Sequence, residues 1–157
     1  MPLWSKNLLC ALVCLLLGGA SGVVTSSSIP GWYATLERPL GTPPNVVFGP
    51  VWTLLYAMMG IALARVWHLA PAGGTKRLAL GLFAIQFALN LAWTPIFFGA
   101  HLLGVALLEI ALLWIAILLT IMSFRRLDRL AAGLLAPYLA WVSYASYLTA
   151  GFWFLNR

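Results

Sequence analysis

The chain has 157 residues, of which 63 % are hydrophobic and 8 % are charged, and its mean hydropathy is +0.98. Three acidic residues are too few to solvate the surface of a 17.1 kDa globule, so the composition excludes a soluble fold and predicts an integral membrane protein. The net charge of +6 comes from Lys and Arg residues that stand mostly between apolar stretches. We therefore interpret them as signals of membrane topology, and we predict no nucleic-acid partner.

The first apolar stretch, residues 8–24, has two interpretations. A lone lysine, an apolar run and a group of small residues are typical of a secretory signal peptide. The apolar character nevertheless extends over about 17 residues, near the lower limit for a spanning helix, and we favour a retained first span. Within it, Gly18 and Gly22 are spaced to let another helix approach closely, although chance explains a glycine pair in so short a run equally well. Cys10 and Cys14 lack the further His or Cys ligands of a zinc site, so no metal site is predicted.

A polar connection at residues 25–45 precedes the second span, residues 46–66. The connection holds three consecutive serines and four prolines, and we expect it to lie at the membrane surface as a lid over a cavity mouth. In the second span, Phe48, Trp52 and Tyr56 recur every four residues and therefore share one helical face. This aromatic face is suited to hold a flat apolar ligand, but packing against a neighbouring helix explains the same spacing.

The third span, residues 78–98, carries Gln86, Asn90, Trp93 and Phe97 at spacings of four, three and four. These side chains share one helical face. Two amides within hydrocarbon require hydrogen-bond partners, so the face is predicted to point into the bundle or into a cavity. Interhelical hydrogen bonds without any ligand explain the pattern equally well.

The fourth span, residues 102–124, contains Glu109, and the fifth, residues 130–153, carries a second aromatic face. A carboxylate at membrane depth is costly, and its default interpretation is functional. No Lys or Arg lies at membrane depth in the other spans, so we expect a neutral, hydrogen-bonded acid with a structural role in preference to a proton relay. The second aromatic face consists of Tyr138, Trp141, Ala145 and Leu148.

The distribution of basic residues predicts the orientation of a five-span protein. Seven Lys and Arg residues fall on the side of the N-terminus and two on the opposite side. Because basic loops are retained in the cytoplasm, the N-terminus is predicted to be cytoplasmic, and residues 25–45 and the C-terminus are predicted to lie outside. The seven are Lys6, Arg65, Lys76, Arg77, Arg125, Arg126 and Arg129, and the two are Arg38 and Arg157.

Four motifs resemble the TspO/translocator-protein family, and they occur in that family's order over nearly the whole chain. The first loop contains WY-x-x-L-x-R-P, and PP-x-x-V-F-G-P-x-W-T-x-L-Y leads into the second span. The third span contains A-L-N-x-x-W-T-P-I-F-F-G, and the fifth contains PY-L-x-W. The resemblance implies an all-α integral membrane protein, a single domain over residues 1–157 that forms a five-transmembrane-helix bundle and is commonly a homodimer.

The resemblance also implies a ligand cavity beneath the first loop. Its ligands would be porphyrins such as protoporphyrin or haem, sterol-like molecules and benzodiazepine-type drugs, with no required cofactor. The residues carried over from the family are Trp52, Tyr56, Asn90, Trp93, Trp141, Ala145 and Leu148. The predicted ligand-binding set is completed by Trp32, Tyr33, Pro43, Pro44, Phe48, Gln86, Phe97 and Tyr138. The chain departs from many bacterial relatives in having Leu40, Gly41 and Thr42, and no aromatic residue, directly after Pro39.

Three functional hypotheses follow, and a purely structural membrane protein is the remaining alternative. The leading one is a sensor that binds porphyrins or related apolar molecules in a membrane of the bacterial cell envelope. The second is an enzyme that degrades porphyrins in light, with Trp52 and Trp141 as candidate catalytic residues. The third is a porphyrin or sterol transporter, although the sequence shows no inverted repeat and no paired broken helices of the kind that transporters use.

Overall fold

The protein folds into six α-helices and no strand in a computed structural model that describes residues 1–157. All but the second helix have between 21 and 27 residues. In chain order the helices are α1 (Leu3–Ser28), α2 (Trp32–Thr35), α3 (Phe48–Leu69), α4 (Gly74–Thr94), α5 (Leu103–Arg125) and α6 (Arg129–Leu155). A 3-10 turn, Asn45–Val47, leads into α3, and a π-helical turn, Pro95–Gly99, extends α4.

Four helical segments are long and apolar enough to cross a membrane, namely α1, Asn45–Leu69, Gly74–Gly99 and α5. Helix α6 is the longest, with 27 residues, but it is not among these four segments. Hydroxyl-bearing side chains such as Ser143, Tyr144 and Ser146 lower its mean hydropathy. The predicted all-helical membrane fold is therefore confirmed. The crossing of the membrane by a fifth span stays a prediction.

Helix α1 is longer than the predicted span at residues 8–24, and it includes residues that the sequence assigned to the first loop. The hydroxyl groups of Ser26 and Ser27 each donate a hydrogen bond of 2.9 Å to a carbonyl one turn earlier in the same helix. Because serine can bond back to its own helix in this way, a polar run does not have to end the helix. The loop is therefore shorter than predicted, and we use the term lid for residues 30–44.

Helix α1 packs lengthwise against α3, and glycines permit close contact at two points. A β-carbon added at Gly60 of α3 would overlap the backbone of Ala11, and one added at Gly18 of α1 would overlap the ring of Tyr56. Gly22, which the sequence pairs with Gly18, has no such neighbour within 4 Å. The two helices therefore touch along the N-terminal part of α1 and separate as they approach the lid.

Pro95 ends the regular hydrogen bonding of α4. Because proline has no backbone N–H, the carbonyl of Leu91 loses its usual helical partner, and the hydroxyl of Ser21 in α1 lies 3.5 Å from it. In the π-helical turn that follows, the carbonyl of Phe98 accepts a hydrogen bond of 2.7 Å from the Ser28 hydroxyl. These contacts fasten the end of α1 to the end of α4.

An ion pair holds the opposite end of the bundle. Asp128 caps α6 by accepting hydrogen bonds from the N–H groups of Leu130 at 2.8 Å and Ala131 at 3.2 Å. Nη2 of Arg65, near the end of α3, lies 2.8 Å from Oδ2 of Asp128. Burial alone would raise the pKa of Asp128, but the Ala131 N–H and the Arg65 guanidinium outweigh it and lower that pKa below its usual value. The carboxylate thus joins α3 to the start of α6.

The buried side chains form two clusters. The larger one fills the centre of the bundle and includes Met59, Ile117 and Tyr138. The smaller one lies under the lid and includes Phe97 and other aromatic side chains. Trp93 packs against both clusters, and the cavity described below lies where they meet.

Candidate functional site

A cavity of about 350 Å³ lies at the lid end of the bundle. All five long helices contribute to its wall, and 16 of its 28 lining residues are hydrophobic. Small-molecule sites in proteins are typically apolar cavities of about 300–1,000 Å³ with a few polar groups in the wall. Ten of the predicted ligand-binding residues lie in this wall. They are Tyr33, Phe48, Trp52, Tyr56, Asn90, Trp93, Phe97, Trp141, Ala145 and Leu148.

The aromatic face of α3 lines the cavity along its whole length. Trp52 stacks on Tyr56, with ring centroids 5.4 Å apart and planes 29° apart. Phe48, one turn nearer the lid, meets Trp141 of α6 edge to face at 6.2 Å. The spacing of four residues within α3 therefore produces a continuous aromatic wall, and α6 adds an indole beside it.

The face of α4 supplies both polar and aromatic groups to the cavity. Trp93 and Phe97 stack with centroids 4.8 Å apart and planes 20° apart. Nε1 of Trp93 is buried and has no hydrogen-bond partner in the protein. A ligand that brings an acceptor oxygen to this N–H would satisfy a donor that is otherwise unpaired.

A buried hydrogen-bond chain forms the polar floor of the cavity. The hydroxyl of Tyr56 donates to Oδ1 of Asn90 at 2.8 Å, and Nδ2 of Asn90 donates to the hydroxyl oxygen of Tyr138 at 3.0 Å. The chain connects α3, α4 and α6 and fixes the orientation of the Asn90 amide. Because that amide has two N–H donors and uses one here, a second remains for a ligand.

The lid closes over the cavity and is fastened to α6 by polar contacts. The side-chain amide of Asn156 accepts from the N–H of Glu37 at 2.9 Å and donates to the carbonyl of the same residue at 3.0 Å. The hydroxyl of Tyr147 donates to the Leu40 carbonyl at 3.0 Å, and the hydroxyl of Tyr144 donates to the carbonyl of Gly41. The backbone of the lid is therefore held at Glu37, Leu40 and Gly41 by the last helix and its C-terminal cap.

The apolar side of the lid is equally well packed. Tyr33 is 3 % exposed and lies 5.4 Å from the rings of both Phe98 and Phe152. Burial raises the pKa of Tyr33, and Arg38, whose guanidinium lies 5.2 Å from the centre of the ring, offsets part of that rise. A side chain at Gly151 would overlap the ring of Pro39, so a glycine at this position of α6 lets the lid lie directly on the helix.

The chain matches the family model for TspO/MBR over residues 10–154. It belongs to the TspO/MBR family. Tryptophan-rich protein TspO of Chlorobaculum tepidum is 43 % identical over 140 residues, which are 89 % of each chain. Protein CrtK of Rhodobacter capsulatus is 39 % identical over 139 residues, or 88 % of this chain and 85 % of that protein. The human translocator protein is 43 % identical over 125 residues, or 78 % of this chain and 73 % of that protein.

Five of the residues predicted from the TspO/MBR resemblance and from helical spacing lie outside the cavity wall. Trp32 instead stacks on His101, with centroids 4.0 Å apart and planes 14° apart. His101 reaches this position from a left-handed backbone conformation with φ of 60° in the short link between α4 and α5. Tyr138 lies beneath the wall, under Asn90. The other three are Pro43, Pro44 and Gln86.

Gln86 and Glu109 are buried without partners in this TspO/MBR member. Gln86 is fully buried, and neither atom of its amide makes a hydrogen bond. Glu109 is 8 % exposed, and neither carboxylate oxygen has a protein partner, although the sequence predicted a hydrogen-bonded acid. Both lie outside the cavity wall. No protein contact in the structure explains the burial of either group.

The wall formed by the end of α1 is absent from the predicted set, because the four motifs from which the resemblance was predicted begin only at the lid. The close-approach spacing of Gly18 and Gly22 is the single signal in the sequence that points to this wall. This wall consists of Leu15, Gly18, Gly19, Ser21, Gly22, Thr25 and Ser26 of α1 and of Ile29, which directly follows the helix. The remaining unpredicted lining residues are Asn45, Gly49, Thr53, Thr94, Phe98, Ile110, Leu113, Val142, Thr149 and Phe152. Phe152 continues the α6 face by four residues beyond Leu148, so an extended spacing argument would have found it.

Proposed function

We propose that this TspO/MBR-family protein is a membrane sensor that binds porphyrins such as protoporphyrin and haem, and sterol-like or drug-like apolar molecules, in the cavity beneath the lid. The observation that carries the proposal is the wall of that cavity. Aromatic side chains from α3, α4 and α6 surround a space of about 350 Å³ that is mostly apolar. Offset stacking on indole and phenol rings suits a flat macrocycle and requires no catalytic group.

The polar groups of the wall suit the periphery of such a ligand. The unpaired Nε1 of Trp93 and the second N–H of the Asn90 amide are donors in an otherwise apolar cavity. Carboxylate or carbonyl oxygens of a ligand would pair with them, and the rest of the ligand would contact aromatic rings. A few placed donors in an apolar cavity typically fix the orientation of a ligand.

A fluorescence titration of the protein with protoporphyrin, haem and a sterol tests the proposal. Stacking of a base on one aromatic side chain is worth about 1–3 kcal/mol in nucleic-acid complexes, so Trp93→Ala should weaken porphyrin binding by about tenfold or more. The matched control is Trp4→Ala, since Trp4 is 69 % exposed at the far end of α1. Equal affinity of the Trp93 variant and the wild type, with the helical content intact, would contradict the proposed site.

We further propose that all five long helices cross a bacterial cell-envelope membrane, with the N-terminus in the cytoplasm, and that the protein is a homodimer. The basic residues at the end of the bundle opposite the lid support this orientation, because Lys and Arg are retained on the cytoplasmic side. Arg125, Arg126 and Arg129 are exposed there, between α5 and α6. The lid and the C-terminus would then lie outside the cytoplasm.

Light-driven oxidation of porphyrin is a second candidate function. Trp52 and Trp141 both line the cavity, so either indole would lie against a bound macrocycle. The excited porphyrin would lose an electron to molecular oxygen, which would be reduced to superoxide, and an adjacent indole would exchange electrons with the oxidised macrocycle. Loss of protoporphyrin absorbance in light but not in the dark, and its absence in Trp52→Phe with Trp141→Phe, would support this activity. Flux of porphyrin across protein-containing liposomes would favour a transporter instead.

A further inference from the structure

One side of the cavity wall is exposed. Of the 28 lining residues only five are exposed, and all five belong to α1 or α3. The rest of the wall, including the part formed by the lid, is buried or half-buried. We call this opening the α1–α3 slit. Its edges are formed by Gly19, Gly22 and Ser26 of α1 and by Gly49 and Thr53 of α3.

The helix packing defines where the slit begins. Below it, α1 and α3 are in contact, because a β-carbon at Gly18 would overlap the Tyr56 ring. At Gly19, Gly22 and Gly49 an added β-carbon would meet nothing within 4 Å. These three glycines therefore face open space and are not packed against the facing helix.

The slit lies near the lid-side end of α1, beside the apolar part of that helix. Gly22 lies six residues before Ser28, the last residue of α1, which corresponds to about 9 Å along a helix axis, whereas the hydrocarbon core of a bilayer is about 30 Å thick. Large apolar side chains surround the slit on the exposed surface of α1, and Leu16 and Val23 are 72 % and 68 % exposed. In a bilayer that covers the apolar part of α1, the slit at Gly19 and Gly22 faces the acyl chains of the lid-side leaflet.

The lid offers no comparable opening. Its backbone is held by the Asn156 amide and by the hydroxyl groups of Tyr144 and Tyr147. Passage through the lid would require these hydrogen bonds to break and Pro39 to leave the surface of α6 at Gly151. Passage through the slit breaks none of them.

We propose that the ligand enters and leaves the cavity sideways, from the acyl-chain region of the lid-side leaflet, through the α1–α3 slit. This inference rests on the proposed ligand-binding function. It restricts the ligands to molecules that dissolve in a bilayer, with an apolar body that can pass between small residues. The polar end of the ligand would meet Trp93 and Asn90 once inside.

Stopped-flow quenching of tryptophan fluorescence tests this route, with the protein in liposomes and protoporphyrin added from a second set of liposomes. Gly22→Leu and Thr53→Leu each place a larger side chain at one edge of the slit. We expect association and dissociation both to slow by about tenfold, a barrier increase of about 1.4 kcal/mol, whereas a side chain that only filled ligand space would weaken affinity and speed dissociation. Gly81→Leu is the matched control, since Gly81 is an exposed glycine of α4 outside the wall with no neighbour within 4 Å of an added β-carbon.

The outcomes separate the route from the binding function. Unchanged rates in both slit variants, or a change in affinity without a parallel change in both rates, would overturn the lateral route. A marked acceleration in Asn156→Ala, which loosens the lid, would assign entry to the lid and overturn it as well. If the wild type itself shows no quenching by protoporphyrin, the proposed binding function fails and the route fails with it.

Discussion

Asn90 is the residue on which the polar floor of the cavity depends. Tyr56 and Tyr138 are buried on opposite sides of its amide, and each makes its side-chain hydrogen bond to that amide. Asn90→Leu would leave two hydroxyl groups buried without partners, and we expect a loss of unfolding free energy of about 1–3 kcal/mol for each group. Chemical denaturation in detergent measures the loss.

A triple variant provides the control for Asn90. Replacing all partners of a buried hydrogen bond by apolar groups of similar shape is often nearly neutral. Adding Tyr56→Phe and Tyr138→Phe to Asn90→Leu should therefore restore much of the lost stability. An Asn90→Leu variant as stable as the wild type would show that the chain of hydrogen bonds contributes nothing.

Ala145 is the residue where cavity size can be changed with the least effect on the fold. Its methyl group lies in the cavity wall, four residues after Trp141 and three before Leu148. In a packed interior such overfilling typically costs about 1–3 kcal/mol, but here the added carbons of Ala145→Leu occupy ligand space, so porphyrin affinity should fall more than stability does. Paired fluorescence titrations and thermal melts measure both, with the exposed Ala136→Leu as control. Loss of stability with retained affinity would place Ala145 against another helix.

For individual residues, the sequence predicted correctly which side chains face the cavity where helical periodicity alone decides their direction. Phe48, Trp52 and Tyr56 reach one wall because four residues nearly complete a turn. Periodicity specifies direction but not depth, and it therefore could not distinguish Trp141, which lines the cavity, from Tyr138, which lies under Asn90. Depth depends on how closely neighbouring helices approach.

At the scale of the helices, the contact between α3 and α6 at Asp128 makes the free energy of unfolding depend on pH. The pKa of Asp128 is lower in the folded protein than its ordinary value of about 3.9, so its carboxylate stabilises the fold above that pH, and the stabilisation is lost as the pH falls through the lowered pKa. We expect Asp128→Asn to keep most of the cap and lose the ion pair with Arg65, and Asp128→Ala to lose about 1 kcal/mol more. Unfolding free energies measured from neutral pH to below pH 4 check this order. Variants with the same unfolding free energy as the wild type at neutral pH would contradict the predicted order.

Contact between α1 and α3 depends on Gly60. Glycine is less favourable than alanine in a helix interior by about 1 kcal/mol, so propensity alone predicts that Gly60→Ala stabilises the protein. The added methyl group would overlap the backbone of Ala11, however, and backbone cannot rotate away, so we expect a net loss of about 1–3 kcal/mol. Gly81→Ala in α4 meets no neighbour within 4 Å and should stabilise slightly. Thermal melts of the two variants in one detergent measure their changes in stability. A change in the same direction for both would contradict the packing of Gly60 against the backbone of Ala11.

Helix order and most helix positions were predictable, because long apolar runs in this chain are separated by Pro, Gly and basic residues. The end of α1 was not, since serines that bond back to their own helix look like loop residues in a sequence. The contribution of α1 to the cavity was also missed. Its inner face is formed by small residues such as Gly18 and Gly22, which leave space and therefore carry no apolar signal.

For the molecule as a whole, cysteine labelling tests the predicted orientation of the helix bundle in the membrane. Leu40 in the lid is 88 % exposed, and Thr75 near the start of α4 is exposed at the other end of the bundle. With five spans, a cysteine at position 40 should react with an impermeant reagent added outside the cell, and one at position 75 should react only after permeabilisation. The native Cys10 and Cys14 are buried and provide a low background. Labelling of both positions from the same side would show that the number of spans is wrong.

The fastening of the lid to Asn156 also sets an order of events during synthesis. The lid is made early, between the first two long helices, but its partners Tyr144, Tyr147 and Asn156 are made last. Glu37 and Asn156 are separated by 119 positions, so nearly the whole chain must leave the ribosome before they can meet. Until then the cavity lacks both the fastened lid and the part of its wall that α6 supplies, and apolar molecules can reach it. A ligand already present during membrane insertion would therefore be enclosed when the last helix arrives.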